Sequence, residues 1–398
     1  MSDAPVPPAR IDLDALGFDE GAHLIVRHAL ASLPAGATAL VRGSHPALAI
    51  DLRAFCRAEG HDVASAAGGL LVTRRAFADA RWTGAARAGA PPLAGVVDEP
   101  SPSWGLAARG ALVEAGDLGF HFPLARKADV WADEAARLYE QAVAAQWSPA
   151  DAIDWQAARA HPPELEDAVV QVMTYLIENE TAALLVPARF LAQLHPHFRE
   201  VMQLLAVQAA DEARHVEVFT RRAALGGGPA RSTQGGQASL KTLVDEPDFA
   251  IASFLLSVLG EGTFLALLWF LHAHGPDAVT RDVARLAAQD EARHVAFGLA
   301  HLARHAAIDP GLRGRLAAAV ERRHAALSTT PGLDPAVHDS LILLAAGSYQ
   351  PAAVARGWRA VQELVAAMAD GRRARLVRLG FSAGEADALS ALHTRNFM

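Results

Sequence analysis

The sequence is poor in sulfur thiols, with one cysteine, Cys56, in 398 residues. That excludes a disulfide framework, a four-thiolate zinc site and a cysteine-ligated iron–sulfur cluster. It fits a reducing compartment. A basic excess is missing too: 36 Lys and Arg stand against 44 Asp and Glu, a formal charge of −8, where a nucleic-acid scaffold would be basic. The opening residues MSDAPVPPAR lack the apolar core of a signal peptide. Apolar stretches are interrupted by Glu261 or other charges before about 18 residues, so no membrane span is expected. The expectation is a cytoplasmic protein without a nucleic-acid partner. Histidine, by contrast, is plentiful at 17 residues. Any metal would be held by nitrogen and oxygen.

The chain reads as three zones. Residues 1–82 read as a small α+β domain, with strands over 37–42 and 69–73 and helices over 21–33 and 46–58. Residues 83–127, rich in Gly, Pro and Ala, read as linker and wrapping, partly packed on the next domain through Trp104, Phe120 and Phe122. Residues 128–398 read as a helical domain, mainly α by periodicity. Its expected helices span 129–146, 163–194, 197–224, 247–273, 276–306, 310–327, 335–370 with a break near Pro351, and 383–392. The stretch 226–239, GGGPARSTQGGQAS, reads as a flexible linker.

Within the helical zone DEARH occurs twice, as Asp211–His215 and Asp290–His294. Each copy has a glutamate upstream. Glu180 precedes Glu212 by 32 positions (212 − 180), and Glu261 precedes Glu291 by 30 (291 − 261). Two long helices joined by a turn form an antiparallel hairpin, in which such pairs reach similar heights. Glu and His at i and i+3 share a helix face and can reach one ion. Two such hairpins supply four carboxylates and two imidazoles: Glu180, Glu212, His215, Glu261, Glu291 and His294. Four carboxylates offset two divalent cations, and the mixed donor set suits iron or manganese.

The faces agree with an inward site. Glu180 lies in a row with Met173, Ile177 and Leu184. Glu261 lies with Phe254, Val258, Phe264, Leu265 and Leu268. Glu178, in a polar row with Gln171, Thr174 and Thr181, reads as solvent-facing. Isolated glutamates on apolar faces cost several kcal/mol each unless neutralised. One Glu-x-x-His alone is commonly a solvated ion pair. Two copies with matched upstream glutamates call for cations.

The doubled Glu…Asp-Glu-x-Arg-His pattern over residues 165–300 resembles di-iron carboxylate proteins. These include bacterial multicomponent monooxygenase hydroxylases, acyl-carrier-protein desaturases and the ribonucleotide reductase small subunit. The likeness extends back towards Ala135–Trp155. It implies a ferritin-like four-helix bundle with extra helices. It also implies two iron ions, or one manganese and one iron, with dioxygen as co-substrate. Asp211 would then accept a hydrogen bond from His294, and Asp290 from His215. Arg214 and Arg293 would pair with these aspartates.

Departures narrow the resemblance. The radical-storing tyrosine of the reductase subunit is replaced by Phe219, with Gly298 in the second copy. The extra histidine ligand of the amine N-oxygenases is replaced by Ala287 and Gln208. Ala183, Ala209, Gly262, Ala287, Ala288 and Gly298 read either as room for a small apolar substrate or as close helix packing. Gln208, one turn before Glu212, is a catalytic candidate that orients water or substrate, or else a plain buried amide. Trp269 and Tyr175 read as core aromatics, with an electron or hole relay as the alternative.

Residues 11–75 resemble the small TusA-type sulfur-carrier fold, on Ile11–Leu13, Leu30–Gly36, the strand at 37–42 and Ala58–Val63. That family's cysteine motif falls on Gly17–Gly21, which has no cysteine, so persulfide transfer is not expected and a docking role remains. The overall expectation is a non-haem di-metal oxidoreductase that oxidises a small organic molecule. No flavin or iron–sulfur motif is present, so its electron donor is external, and the resemblance allows a homodimer. Ferritin-type metal storage or sensing, and an inactive scaffold, stay open as alternatives.

Overall fold

The computed structural model describes residues 8–76, 82–91, 95–117, 119–328 and 335–393. Residues 1–7 of the N-terminal stretch and residues 92–94 of the Gly/Pro-rich stretch lie outside the described residues. The chain divides into two compact units, Met1–Ala88 with Gly110–Leu118, and Gly89–Arg109 with Gly119–Met398. The stretch 83–127 is therefore shared between both units rather than lying between them. Ala86–Arg87 pairs antiparallel with Leu112–Val113 inside the first, which draws 110–118 into it.

In the first unit, strands β1 (Ala9–Asp12), β2 (Thr38–Arg42), β3 (Asp62–Ala66) and β4 (Gly69–Thr73) form a sheet in the order β1-β2-β4-β3. β1 is parallel to β2, and the other pairings are antiparallel. Helices α1 (Ala22–Ala31) and α2 (Leu48–Glu59) bury Val26, Leu30, Leu52 and Cys56 with Val41 and Val72 of the sheet. β1 and β3 escaped the sequence reading because β3 alternates only weakly, exposing most of its residues. Burial pushes the Cys56 thiol up to about 11, which leaves it protonated and inert.

The second unit is helical. Helix α3 (Ala135–Ala144) precedes four long helices: α4 (Pro163–Leu191), α5 (Arg199–Leu225), α7 (Phe249–His274) and α8 (Ala278–Ile308). These pair as two hairpins, α4 with α5 and α7 with α8, joined by contact between α5 and α8. Together they make a four-helix bundle of two hairpins. Pro163 at the first position and Glu164 and Glu166 in the first turn start α4. Asp277 caps α8 by accepting from the Thr280 N–H at 2.6 Å. The buried guanidinium of Arg222 bridges Glu166 and Asp277, tying α4, α5 and the start of α8 together. Helices α9 (Leu312–Leu327), α10 (Pro335–Ala346), α11 (Pro351–Arg378) and α12 (Ala383–His393) complete the unit.

Several expectations change here. Much of the stretch read as a flexible linker is helix α6 (Gln234–Val244), capped by Thr233 and anchored by buried Leu240 and Leu243. Cap chemistry and two apolar anchors outweigh its glycines. Gln171 and Thr174 are buried, not solvated. The segment after α5 covers them, with Ala230 N–H donating to Thr174 Oγ1 at 2.7 Å and Gln171 Nε2 donating to the Arg231 carbonyl at 3.3 Å. Glu178 is half-buried. Trp269 is not in the core but 45 % exposed, its edge against His272. Trp104 packs on His197 and Phe122 on His195, whereas Phe120 stays 38 % exposed. Helix α7 is long and apolar enough to cross a membrane by length and composition, and 78 % of its most apolar stretch is buried inside the protein. It is the core helix of the bundle.

Two outcomes test this packing. A Cβ at Gly357 of α11 would run into the Ile342 carbonyl and the Ala346 backbone of α10. Alanine there gains about 1 kcal/mol of helix propensity but overpacks a rigid backbone contact. Gly357→Ala is therefore expected to cost about 1–3 kcal/mol net in urea unfolding. His301 sits fully buried between Phe249 and Phe297. Burial, and then His305, push its imidazole down to about 3 from 6.5. The unfolded chain takes up this proton and the folded one does not, so the contribution is whole above pH 6.5 and is lost as pH falls towards 3. His301→Leu should flatten that acid limb of a stability–pH profile.

Candidate metal centre

The two hairpins bring all six sequence-derived ligands to one place. Glu180 comes from α4, Glu212 and His215 from α5, Glu261 from α7, and Glu291 and His294 from α8; none is more than 5 % exposed. Glu212 points one oxygen at each imidazole, Oε2 at His215 Nδ1 (3.2 Å) and Oε1 at His294 Nδ1 (3.0 Å). Glu291 does the same, at 3.3 and 3.4 Å. Glu180 lies only on the His215 side, at 3.5 Å, and Glu261 only on the His294 side, at 4.0 Å. The donors fall into two overlapping sets, Glu180, Glu212, His215, Glu291 and Glu212, Glu261, Glu291, His294, with the ligand atoms of each set within 4.8 Å of one another. Glu212 and Glu291 belong to both sets.

Glu261 ends a π-helical stretch, Phe254–Glu261, inside α7. Such insertions gather at functional sites. No sequence pattern marked this one. Its flanking residues Gly260 and Gly262 are compatible with the wider turn.

These residues fit a pair of metal ions. Glu212 Oε1, Glu261 Oε2, Glu291 Oε2 and His294 Nδ1 are buried without a hydrogen-bond partner. Glu212 Oε1 and His294 Nδ1 are near enough to bond at 3.0 Å yet are not angled to do so, as atoms aimed at a common third point would be. Six carboxylates, counting Asp211 and Asp290, face two guanidinium groups, leaving four negative charges with neutral imidazoles, the charge of two divalent cations. Without ions, protons on Glu180, Glu261 and the two imidazoles balance this charge but leave those ligand atoms without hydrogen-bond partners. Burial and the neighbouring Glu212 charge push Glu180 up to about 8. Burial and Glu291 push Glu261 well up as well. The carboxylates hold both imidazoles well above their ordinary range in spite of burial.

Around this core the aspartates cross between hairpins. His215 Nε2 meets Asp290 Oδ2 at 3.2 Å, and His294 Nε2 meets Asp211 Oδ2 at 3.3 Å. Both rings thereby turn Nδ1 towards the glutamates. Arg214 binds Asp211 and Asp290, the latter at 2.9 Å. Arg293 binds Asp290 and approaches Asp211 at 3.9 Å. Burial opposes ionisation of Asp290, but His215, Arg214 and Trp147 hold its carboxyl well below the usual range.

Two members of this layer escaped the sequence reading. Gln146 Nε2 donates to Asp211 Oδ1, and Trp147 Nε1 to Asp290 Oδ2, each at 2.8 Å. The available signal was a Gln-Trp pair just past an amphipathic helix, since a buried indole N–H needs an acceptor. Gln208 is placed against a ligand rather than in open space: its Nε2 donates to Glu261 Oε1 at 3.0 Å.

An apolar cleft of about 430 Å³, including its open mouth, reaches the site. Ala183, Leu240, Leu243, Leu255, Leu256 and Phe264 line it, together with Glu180, Glu261, Glu291, Asn179 and Arg323. Of the six small residues read either as substrate room or as close packing, only Ala183 lines the cleft. The space beside Gly262 is taken by the Arg375 guanidinium and that beside Gly298 by Ser257. Ala287 and Ala288 are in the packed core. A third acidic group, His161, Glu166 and Asp277, already holds the Arg222 guanidinium and serves packing.

The crossed hydrogen bonds carry a prediction. Asp211→Asn keeps the shape but removes the charge facing His294, Arg214 and Arg293. It is expected to weaken metal binding about 10–100-fold, read by anaerobic titration with ferrous iron or manganous ion.

No family model and no curated protein matches the chain. Solved structures do. A variant of an R2-like ligand-binding oxidase with an aerobically reconstituted Fe/Fe cofactor is 20 % identical, with a TM-score of 0.47 over 64 % of this chain and 95 % of the other. Another variant of an R2-like ligand-binding oxidase, with an anaerobically reconstituted Mn/Fe cofactor, gives the same values. A Synechococcus protein with aldehyde deformylating oxidase activity is 20 % identical, with a TM-score of 0.41 over 57 % of this chain and 95 % of its own.

Proposed function

We propose that the chain is a non-haem di-metal oxidoreductase that uses dioxygen and an external electron donor to oxidise a small organic substrate. The observation that carries this reading is the pair of donor sets sharing Glu212 and Glu291, beside a cleft that three of the six ligands line. Glu180, Glu212, His215 and Glu291 would hold one ion, and Glu212, Glu261, Glu291 and His294 the other. When bound, iron or a manganese–iron pair supplies redox chemistry with dioxygen.

The chain's own residues do the rest. Asp211 and Asp290 orient the two imidazoles. Gln208 holds Glu261 Oε1, the oxygen 4.0 Å from His294 Nδ1, and leaves Oε2 without a hydrogen-bond partner. The apolar lining, from Ala183 to Phe264, selects a hydrocarbon part and keeps water away from the ligands. The apolar lining of the cleft that reaches the ligands favours small-molecule oxidation over storage.

The N-terminal unit has the strand and helix order β1-α1-β2-α2-β3-β4. That order supports the resemblance to the sulfur-carrier fold. Buried Cys56 is its only thiol, so we assign it a docking role rather than sulfur transfer.

Replacing a shared ligand should remove both ions, whereas replacing an unshared one should weaken a single site. Glu212→Ala and Glu291→Ala are expected to bind less than about one tenth of the metal held by the parent, and Glu261→Ala to keep the His215-side ion. Elemental analysis after anaerobic reloading, paired with oxygen uptake in the presence of a chemical reductant, tests this. A parent protein that takes up no more than stray metal would overturn the assignment.

A further inference from the structure

Helix α6 looks onto two different spaces. Gln237, Leu240, Lys241 and Val244, at i, i+3, i+4 and i+7, line an outer groove between α6 and α4 of about 720 Å³, open solvent included. Leu240 and Leu243, at i and i+3, line the apolar cleft that reaches Glu180, Glu261 and Glu291. Leu240 therefore belongs to both linings, at the edge where the two faces of α6 meet. On α4 the same division falls between neighbours: Ala182 lines the groove and Ala183 the cleft.

The two spaces differ in exposure. No apolar residue lining the cleft is more than 8 % exposed, whereas Leu185 in the groove is 49 % exposed. The backbone around Leu240 is held in place. Arg323 of α9 donates to Ser239 Oγ at 2.9 Å, and the Arg189 guanidinium of α4 binds the Val244 and Glu246 carbonyls. With α6 pinned on either side of Leu240, the movable part is the leucine side chain, which turns between staggered rotamers. The charged groups lining the groove are Glu178, Lys241 and Asp245. Lys241 pairs with Asp245, which leaves one carboxylate and disfavours an anion.

We propose that Leu240 is the gate by which a neutral, hydrocarbon-like substrate passes from the outer groove to the metal cleft, and that its bulk sets the width of molecule admitted. Ile177, Leu185 and Val244 give the groove an apolar landing surface. Turning Leu240 aside joins that surface to the space beside Glu180, Glu261 and Glu291. Between passages the same side chain completes the apolar wall and keeps water from the ligands. That the molecule admitted is the substrate rests on the oxidoreductase reading; the gate itself does not.

Metal-free full-length protein provides the test, with fluorobenzene as the probe and fluorine NMR as the readout. Titration gives the dissociation constant, and line shapes give the exchange rates. In Leu240→Ala, association and dissociation should both quicken about tenfold or more, because the barrier to entry is what changes. Leu240→Trp should slow both by about as much. Fluoronaphthalene, a wider probe, should gain more from Leu240→Ala than fluorobenzene does. Leu256 lines the cleft but not the groove, so Leu256→Ala should change affinity through dissociation alone. Circular dichroism checks folding, and Leu240→Val, with a smaller gain in rate, serves if Leu240→Ala does not fold. Unchanged rates in the Leu240 variants would place entry elsewhere, beside half-buried Asn179 and Gly260, and would overturn the gate. An association rate raised as much by Leu256→Ala, or failure of both parent and Leu240→Ala to bind fluorobenzene, would overturn it too. Failure of metal uptake with these rates intact would instead count against the oxidoreductase reading alone.

Discussion

Six carboxylates lie in or against the apolar interior of a helical bundle, and the rest of the helical unit answers to that charge. Water does not solvate them there, and two arginines neutralise only part of the excess. Protonation of Glu180 and Glu261, both pushed upward by burial, relieves some of the strain but leaves ligand atoms without partners. A pair of divalent cations satisfies charge, donor number and direction together. The bundle is built so that its most polar residues face its most apolar space.

The layer behind the ligands turns that constraint into geometry. Each aspartate belongs to one hairpin and orients the histidine of the other. The two hairpins are thus coupled through the residues that aim the ligands. Arg214 spans both aspartates, and α3 adds Gln146 and Trp147 just past its end. Asp290 Oδ2, which meets His215, also accepts from Trp147 and Arg214, and Asp211 is held through its other oxygen by Gln146 and Arg214. A bundle held only by Leu and Val contacts would slide more readily than one pinned by crossed charge-assisted bonds.

Much of the site was legible because helical spacing is a strong code. Glu-x-x-His at i and i+3 must share a face, and the 30- and 32-residue offsets place the upstream glutamates opposite, as Glu180 and Glu261 indeed lie. Other features were not legible, for physical reasons that differ from residue to residue. Gly262 and Gly298 left substrate room and close packing both open, and a distant Arg375 and a neighbouring Ser257 decide for packing. Gln171 and Thr174 looked solvated until the segment at 230–231 folded over them. Glycine-rich composition hid the cap and two apolar anchors of α6. The π-helical turn at Glu261 leaves no periodic trace, because one added residue in a wholly apolar helix changes no pattern.

By itself the sequence determined the donor types, their pairing by spacing and the mainly helical class. Those come from local periodicity, and from the cost of placing carboxylates on apolar faces. Only the tertiary structure decided which carboxylates are shared, what fills the space beside each glycine, and where the cleft runs. It alone brought Arg372 and Arg375 of α11 against Thr263 and Val258 of α7. Such assignments depend on contacts between residues far apart in the chain, whose side-chain directions are set only when the helices dock.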